Sequence, residues 1–320
     1  MHSPKHSPRR FAFFAGLVIS SAALAIAPLA RGQAAAAQGI TVTAPDGPSA
    51  YGAPGSFSQS RFSPLTNAYV LPPGEIYTSL IYELDVVHYR YPDHILTQEV
   101  EVGLPYRVNL AVENGLESYG GTRQEGSFSF EARYAFADWD KIPLNPTVFA
   151  EYRIGIGHIL HDEGAPTPGN KFGPEGFDQS EYQPDAVETR LLLSEEFFGR
   201  IECALNTFFE QETSGDRGRE WGLAQSIVTP LVFPETLKAG VEMQFRSFSD
   251  RFSRGTPYNS FVVGPTLAWK PTPNTRLDIS PLFGVNHKSP TVQGFLVFSY
   301  LFGAGGPEAG GEAPASTRNR

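Results

Sequence analysis

Two runs of residues on either side of a proline-marked turn constrain this chain more than any other stretch. In the first, Phe128, Phe130, Ala132, Tyr134 and Phe136 alternate with Ser129, Glu131 and Arg133. In the second, Val148, Ala150, Tyr152 and Ile154 alternate with Phe149, Glu151 and Arg153. Residues 138–146 between them carry Pro143, Asn145 and Pro146. A period of two means strands, each with two unlike faces. One face is apolar and aromatic. The other collects paired acids and bases, which the dry core of a water-soluble domain does not tolerate. A wall with lipid on its outside and a wet, polar inside satisfies both faces.

The same unit recurs from Gly74 to Phe302, giving about 12 strands of roughly 10 to 14 residues, long enough for tilted strands to cross a hydrocarbon layer. The runs fall near residues 74–86, 94–104, 106–116, 127–137, 147–160, 185–198, 201–210, 220–229, 237–246, 261–269, 276–285 and 291–302. On the last run the second face is also fairly apolar. The 32 Gly, 27 Pro, 24 Phe and 13 Tyr support many strands and turns. Aromatic residues gather near the run ends, as in interfacial girdles (Trp139, Tyr106, Phe198, Trp269, Tyr300). The expected fold is therefore all-β: a closed antiparallel transmembrane β-barrel. Closure follows because an open sheet edge in lipid leaves backbone groups unpaired.

The connections sort by length. GLPYR, residues 138–146, Gly199-Arg200, PLVFPE and PTPN are short, whereas TSGDRG, SDRFSRGTP and above all residues 161–184 are longer. YPDH and HKSP break the pattern. Short periplasmic turns with longer outer loops is the known asymmetry of outer-membrane barrels, and an even strand number returns both termini to the periplasmic side.

The flanks read differently. Lys5, Arg9 and Arg10, the apolar stretch 11–27 and the small residues after it form a secretory signal peptide, taken as 1–37. Its removal takes away Lys5, Arg9, Arg10 and Arg31 and no acid, so the charge falls further below −9. No basic stripe remains for nucleic acid. Residues 38–73 read as a flexible linker, 74–302 as the barrel and 303–320 as a disordered tail. The single Cys203 excludes an intrachain disulfide.

The candidate functional residues are those of the polar face: Glu99, Glu101, Glu113, Glu131, Arg133, Glu151, Arg153, Glu188 and Arg190 on neighbouring strands, with Glu242, Arg246, Arg276 and Asp278 further round. Arg200 and Glu202 extend the set. Two readings compete. The residues line a pore and select solutes, or they form cross-strand salt bridges that fill a narrow lumen, with the Glu131/Arg133 and Glu151/Arg153 pairs side by side. His158, His161, Asp162 and Glu163 could ligate a metal, but no third His lies near, and neither a metal nor a cofactor is expected. A barrel hydrolase is a third possibility, yet no His stands at motif spacing from a nucleophile, and no enzyme activity is expected.

The texts EVEVGLPYRVNLAVENG and RYAF…IPLNPTVFAEYRIG resemble a family of transporter-like outer-membrane β-barrels associated with the meta-cleavage pathway of phenol degradation. The resemblance spans about residues 74–302. It implies an outer-membrane location and a role in moving small solutes, aromatic ones among them, and it carries over no catalytic residue. The expected partners are outer-membrane lipids, small solutes and the barrel-assembly machinery.

Overall fold

The computed structural model describes Tyr51 and residues 68–87, 92–119, 123–156, 184–214, 217–232, 236–272 and 274–302. These hold twelve strands: β1 (Ile76–Val86), β2 (Asp93–Leu104), β3 (Val108–Tyr119), β4 (Arg123–Ala135), β5 (Thr147–Ile156), β6 (Ala186–Phe197), β7 (Ile201–Glu212), β8 (Arg219–Val232), β9 (Leu237–Ser249), β10 (Tyr258–Thr272), β11 (Thr275–Gly284) and β12 (Val292–Phe302). Each pairs antiparallel with its neighbours in sequence, and β1 pairs with β12, so the sheet closes into a barrel. The seam runs from Ile76↔Phe302 to Val86↔Val292 without a break.

The alternation places the side chains as expected. Val100, Phe130, Tyr152, Trp221, Trp269 and Phe298 point outward, each between 43 and 53% exposed. Glu99, Glu131, Arg133, Glu242, Arg276 and Asp278 point inward, and none is more than 5% exposed. A soluble fold inverts this division. Here the apolar surface faces away from the protein and the charges are packed inside.

Turn chemistry explains the tight end. Tyr106 and Arg107 between β2 and β3, and Phe198 and Gly199 between β6 and β7, all have φ near +60°. Left-handed residues give a two-strand connection the twist that the flanking strands require. The longer turn between β4 and β5 is tied to β6, since Ser194 N donates to Leu144 O (2.8 Å) and Asn145 Nδ2 donates to Ser194 O (2.9 Å).

One irregularity was not anticipated. The β10–β11 pairing lapses between Val263↔Phe283 and Leu267↔Ile279. Pro265 and Pro281 fall in that interval, and neither has an N–H to give the ladder.

The segment just before β1 is also a correction. Residues 68–71 belong to the stretch expected as a flexible linker, yet Ala68, Tyr69, Val70 and Leu71 are 2–7% exposed. Ala68 N donates to Ser194 Oγ (3.0 Å), and Thr147 Oγ1 donates to Ala68 O (2.7 Å). Both partners are inward-facing, on β6 and β5. A few residues later Tyr69 and Leu71 pack against Tyr77 of β1 and Leu301 of β12. In a twelve-strand ring, β5–β6 and β12–β1 lie on opposite sides. The segment therefore crosses the lumen at the short-turn end as a strap. Tyr51 joins the same end: its hydroxyl donates to Leu104 O (3.1 Å), and its carbonyl accepts from Trp139 N (2.9 Å).

Candidate functional site

The inner wall is organised by register. Glu131 stands opposite Glu151, Glu151 opposite Glu188, Glu188 opposite Glu210, and Glu210 opposite Glu220. Five consecutive strands, β4 to β8, thus present a continuous row of carboxylates. The adjacent row toward the turns runs Arg133, Phe149, Arg190, Phe208, Gly222, Arg246. Gly222 is required there: a Cβ would lie 2.6 Å from Phe208 Cζ and 2.2 Å from the carbonyl oxygen of Phe245.

Like charges directly opposite repel, so the row persists only because cations reach it from beside it. Arg133 holds its first member, Glu131, together with two acids of β2. Its Nη1 meets Glu101 Oε2 at 2.7 Å, and its Nη2 meets Glu131 Oε2 at 2.9 Å and Glu99 Oε1 at 3.2 Å. Arg153 meets Glu210 at 2.7 Å. Arg190 pairs with Glu188, and Arg246 with Glu220. Phe149 lies between two guanidinium groups, with Arg190 Cζ 4.6 Å and Arg133 Cζ 5.6 Å from the ring centroid. Among the described residues Glu113 and Glu151 form no ion pair with an arginine of their own. Carboxylate oxygens of Glu99, Glu113 and Glu131 come within 4.8 Å of one another. The Arg133 guanidinium already bridges two of these three, in the position a cation would take.

The Glu131/Arg133 and Glu151/Arg153 pairs stand on neighbouring strands, with acid set against acid. Arg133 lies opposite Phe149, and Arg153 opposite Ser129. One expectation changes: Arg200 is exposed in the β6–β7 turn and does not line the interior. The remaining candidates divide by place. Glu99, Glu101, Glu113, Glu131, Arg133, Glu151, Arg153, Glu188, Arg190 and Arg246 form one charged wall. Glu242 lies nearer the turns, opposite Ser226 and Gly264. Arg276 and Asp278 pair with each other on β11, at 2.8 Å. His158 and its acidic neighbours lie outside the described residues. Glu210 and Glu220 were not among the candidates and complete the row. Lys238, which pairs with Glu202, was also missed. All three occupy inward positions of the alternation, so the pattern could have found them.

The opposite wall is mixed and carries an apolar patch. Val262, Leu282 and Phe295 pack together on the inner faces of β10, β11 and β12. Val297 and Leu301 continue this surface at 4% and 1% exposure. Polar groups interrupt it: Phe295 stands opposite Ser280, Val297 opposite Asp278, and the Arg276–Asp278 pair lies on the same wall.

The strap lies across the short-turn mouth. Gly103, inward on β2, admits it: a Cβ there would lie 2.0 Å from the Pro72 carbonyl oxygen and 2.6 Å from that of Leu71. Gly103→Ala is accordingly expected to lift residues 71–72 off the wall. Limited chymotrypsin digestion should cut near Tyr69 several-fold faster in the variant. Equal rates would mean that β2 distorts and the strap stays.

The comparisons place the fold. No protein-family model matches the sequence, and no curated protein matches it. Solved structures do. An outer membrane channel from Pseudomonas putida superposes with a TM-score of 0.51 at 10% identity, over 74% of this chain and 99% of that one. The NanC porin gives 0.43 at 9% identity, over 71% and 98%. LpxR from Salmonella typhimurium gives 0.41 at 10%, over 72% and 99%. At such identities the likeness to the first is one of fold: the chain shares with that channel a closed antiparallel barrel, here of twelve strands.

Proposed function

We propose that this chain is an outer-membrane channel for small solutes that combine an apolar body with a cationic or strongly hydrogen-bonding group. A signal peptide in residues 1–37 delivers it, the assembly machinery inserts it, and its termini stay on the periplasmic side. The carrying observation is the carboxylate row of β4 to β8, with the apolar patch of Val262, Leu282 and Phe295 across the ring. Carboxylates replace part of the hydration of a cationic group, and the apolar patch accepts the rest of the solute. Aromatic solutes fit that division, in keeping with the resemblance to the phenol meta-cleavage family. The charged residues named above are the selectivity residues in this reading.

A second reading has its own support. Arg133 and its three acids are at most 4% exposed, and the strap spans the mouth. These favour a barrel with a closed lumen that binds or supports without conducting. Planar-bilayer conductance of the purified protein separates the two. Silence from both the full chain and a chain lacking residues 68–72 would defeat the channel reading. No catalytic role is proposed. On the outer face His94 Nδ1 lies 2.7 Å from Tyr82 Oη, a pairing that supplies no serine nucleophile.

The channel reading predicts ion preference. In a KCl gradient the reversal potential should take the sign of potassium. Glu131→Gln, Glu151→Gln and Glu188→Gln together should move it toward zero or past it, because Arg133, Arg153, Arg190 and Arg246 then dominate the same wall. An unchanged reversal potential would place the ion path elsewhere.

A further inference from the structure

Among the described residues, the exposed charges at the loop end of β8 to β11 are basic. Arg219 and Arg251 are exposed, and Arg217, Arg254 and Lys288 join them. Arg254 Nη1 donates to Ser249 O (2.7 Å), and its Nη2 reaches Arg217 O, which ties these loops together. Among the described residues two acids lie close, and both are turned inward. Asp250 is 2% exposed and accepts from Phe252 N (2.8 Å) and Ser253 N (2.6 Å). Glu212 is 8% exposed and accepts from Gly218 N. Among the described residues no acidic side chain forms an ion pair with Arg217, Arg219 or Arg254. Burial and the charge of Arg219 both push the Arg254 guanidinium below its usual range. Among the described residues the short-turn end has no such face: there Arg107 pairs with Asp138, Lys141 follows Asp140, and Arg200 follows the β6 end that carries Glu195 and Glu196.

The cations sit on aromatic rings. Arg219 Cζ is 5.7 Å from the Phe209 centroid, Arg251 Cζ is 4.6 Å from that of Phe252, and Lys288 Nζ is 5.6 Å from that of Tyr258. Trp221, on the same outward face two residues below Arg219, lies opposite Phe209 and is 50% exposed. Two strand residues rise about 7 Å. Aromatic rings settle at the edge of the hydrocarbon, so Arg219 stands at the height of lipid phosphates.

We propose that this face binds the phosphate groups of an anionic glycolipid in the leaflet around the loops, which in an outer membrane is lipopolysaccharide. The inference rests on the membrane-spanning, loops-outward reading above and not on conduction. Guanidinium groups suit it because their fork of donors matches phosphate oxygens, and rings beneath them hold the fork at the interface.

The test is native mass spectrometry of the full chain in neutral detergent, titrated with diphosphoryl lipid A, with dephosphorylated lipid A and with phosphatidylglycerol. The diphosphoryl form should bind best. Combining Arg219→Gln, Arg251→Gln and Lys288→Gln should weaken it by about fivefold for each cation removed. Arg107→Gln with Lys141→Gln, at the other end, should change nothing. If the triple variant does not fold, Arg219→Gln alone carries the test, again at about fivefold. Equal binding of dephosphorylated lipid A, or equal loss in the turn-end variant, overturns the proposal. Equal binding of phosphatidylglycerol overturns the assignment to lipopolysaccharide. Detergent-free solubility of the protein would remove the membrane reading by itself, whatever the lipid titration gives.

Discussion

Replacing Arg133 by glutamine should destabilise the barrel by about 3 kcal/mol, the lower end of the cost of breaking a buried ion pair, because lumen water softens the loss. The side chain is 4% exposed, and its partners Glu99, Glu101 and Glu131 are 1%, 4% and 3% exposed. Glutamine leaves three carboxylates within reach of one another and no cation among them. They must then take up protons, recruit water or push the strands apart. Heat modifiability on gels should show the folded form lost at a clearly lower temperature. Adding Glu101→Gln and Glu131→Gln to the same chain should recover most of the loss, because the uncompensated charge leaves with them. Arg153→Gln should cost much less, since its pair with Glu210 is 24% and 20% exposed. If Arg133→Gln and Arg153→Gln melt alike, the Arg133 cluster is solvated and contributes no more than a surface pair.

Removing the strap should produce the largest functional change. A chain lacking residues 68–72 loses the crossing from Thr147 and Ser194 to Tyr77 and Leu301. Single-channel conductance should then rise several-fold over the full chain. The barrel should keep its thermal stability, because β1 to β12 close without these residues. A smaller change has the same cause: Ser194→Ala with Thr147→Val removes both hydrogen bonds to Ala68 and should give brief openings in the full chain. Unchanged conductance after deletion would mean that the narrowest point lies at the charged wall. The Glu151→Gln and Arg190→Gln variants would then be the ones to alter it.

Particular residues show how far the sequence could be read. Faces were legible everywhere. Glu99, Glu113, Glu131, Glu151 and Glu188 were assigned inward and Phe130, Tyr152 and Trp221 outward from alternation alone, and each stands there in the structure. Strand ends were read within a few residues, since GLPYR and the Phe198-Gly199 turn announce themselves. The strap was not legible as such. Ala68-Tyr69-Val70-Leu71 is apolar enough to be buried, but it lies beside Pro72, Pro73 and a Gly/Pro/Ser-rich stretch, so composition averaged it into a linker. Its anchor is visible only once Thr147 and Ser194 are seen across the ring from Tyr77.

What the sequence by itself determined is which side chains see the lumen and which see the outside, because a period of two is local and survives any pairing. What only the tertiary structure decided is which charges meet. Sliding one strand by two residues keeps every face and changes every partner. Glu131 meets Glu151 and not Arg153 because turn lengths and closure of β1 on β12 set the register around the whole ring. Acids and bases that interleave along each strand are thereby sorted into rows between strands. That sorting sets carboxylate beside carboxylate across five strands, with the arginines in the rows beside them.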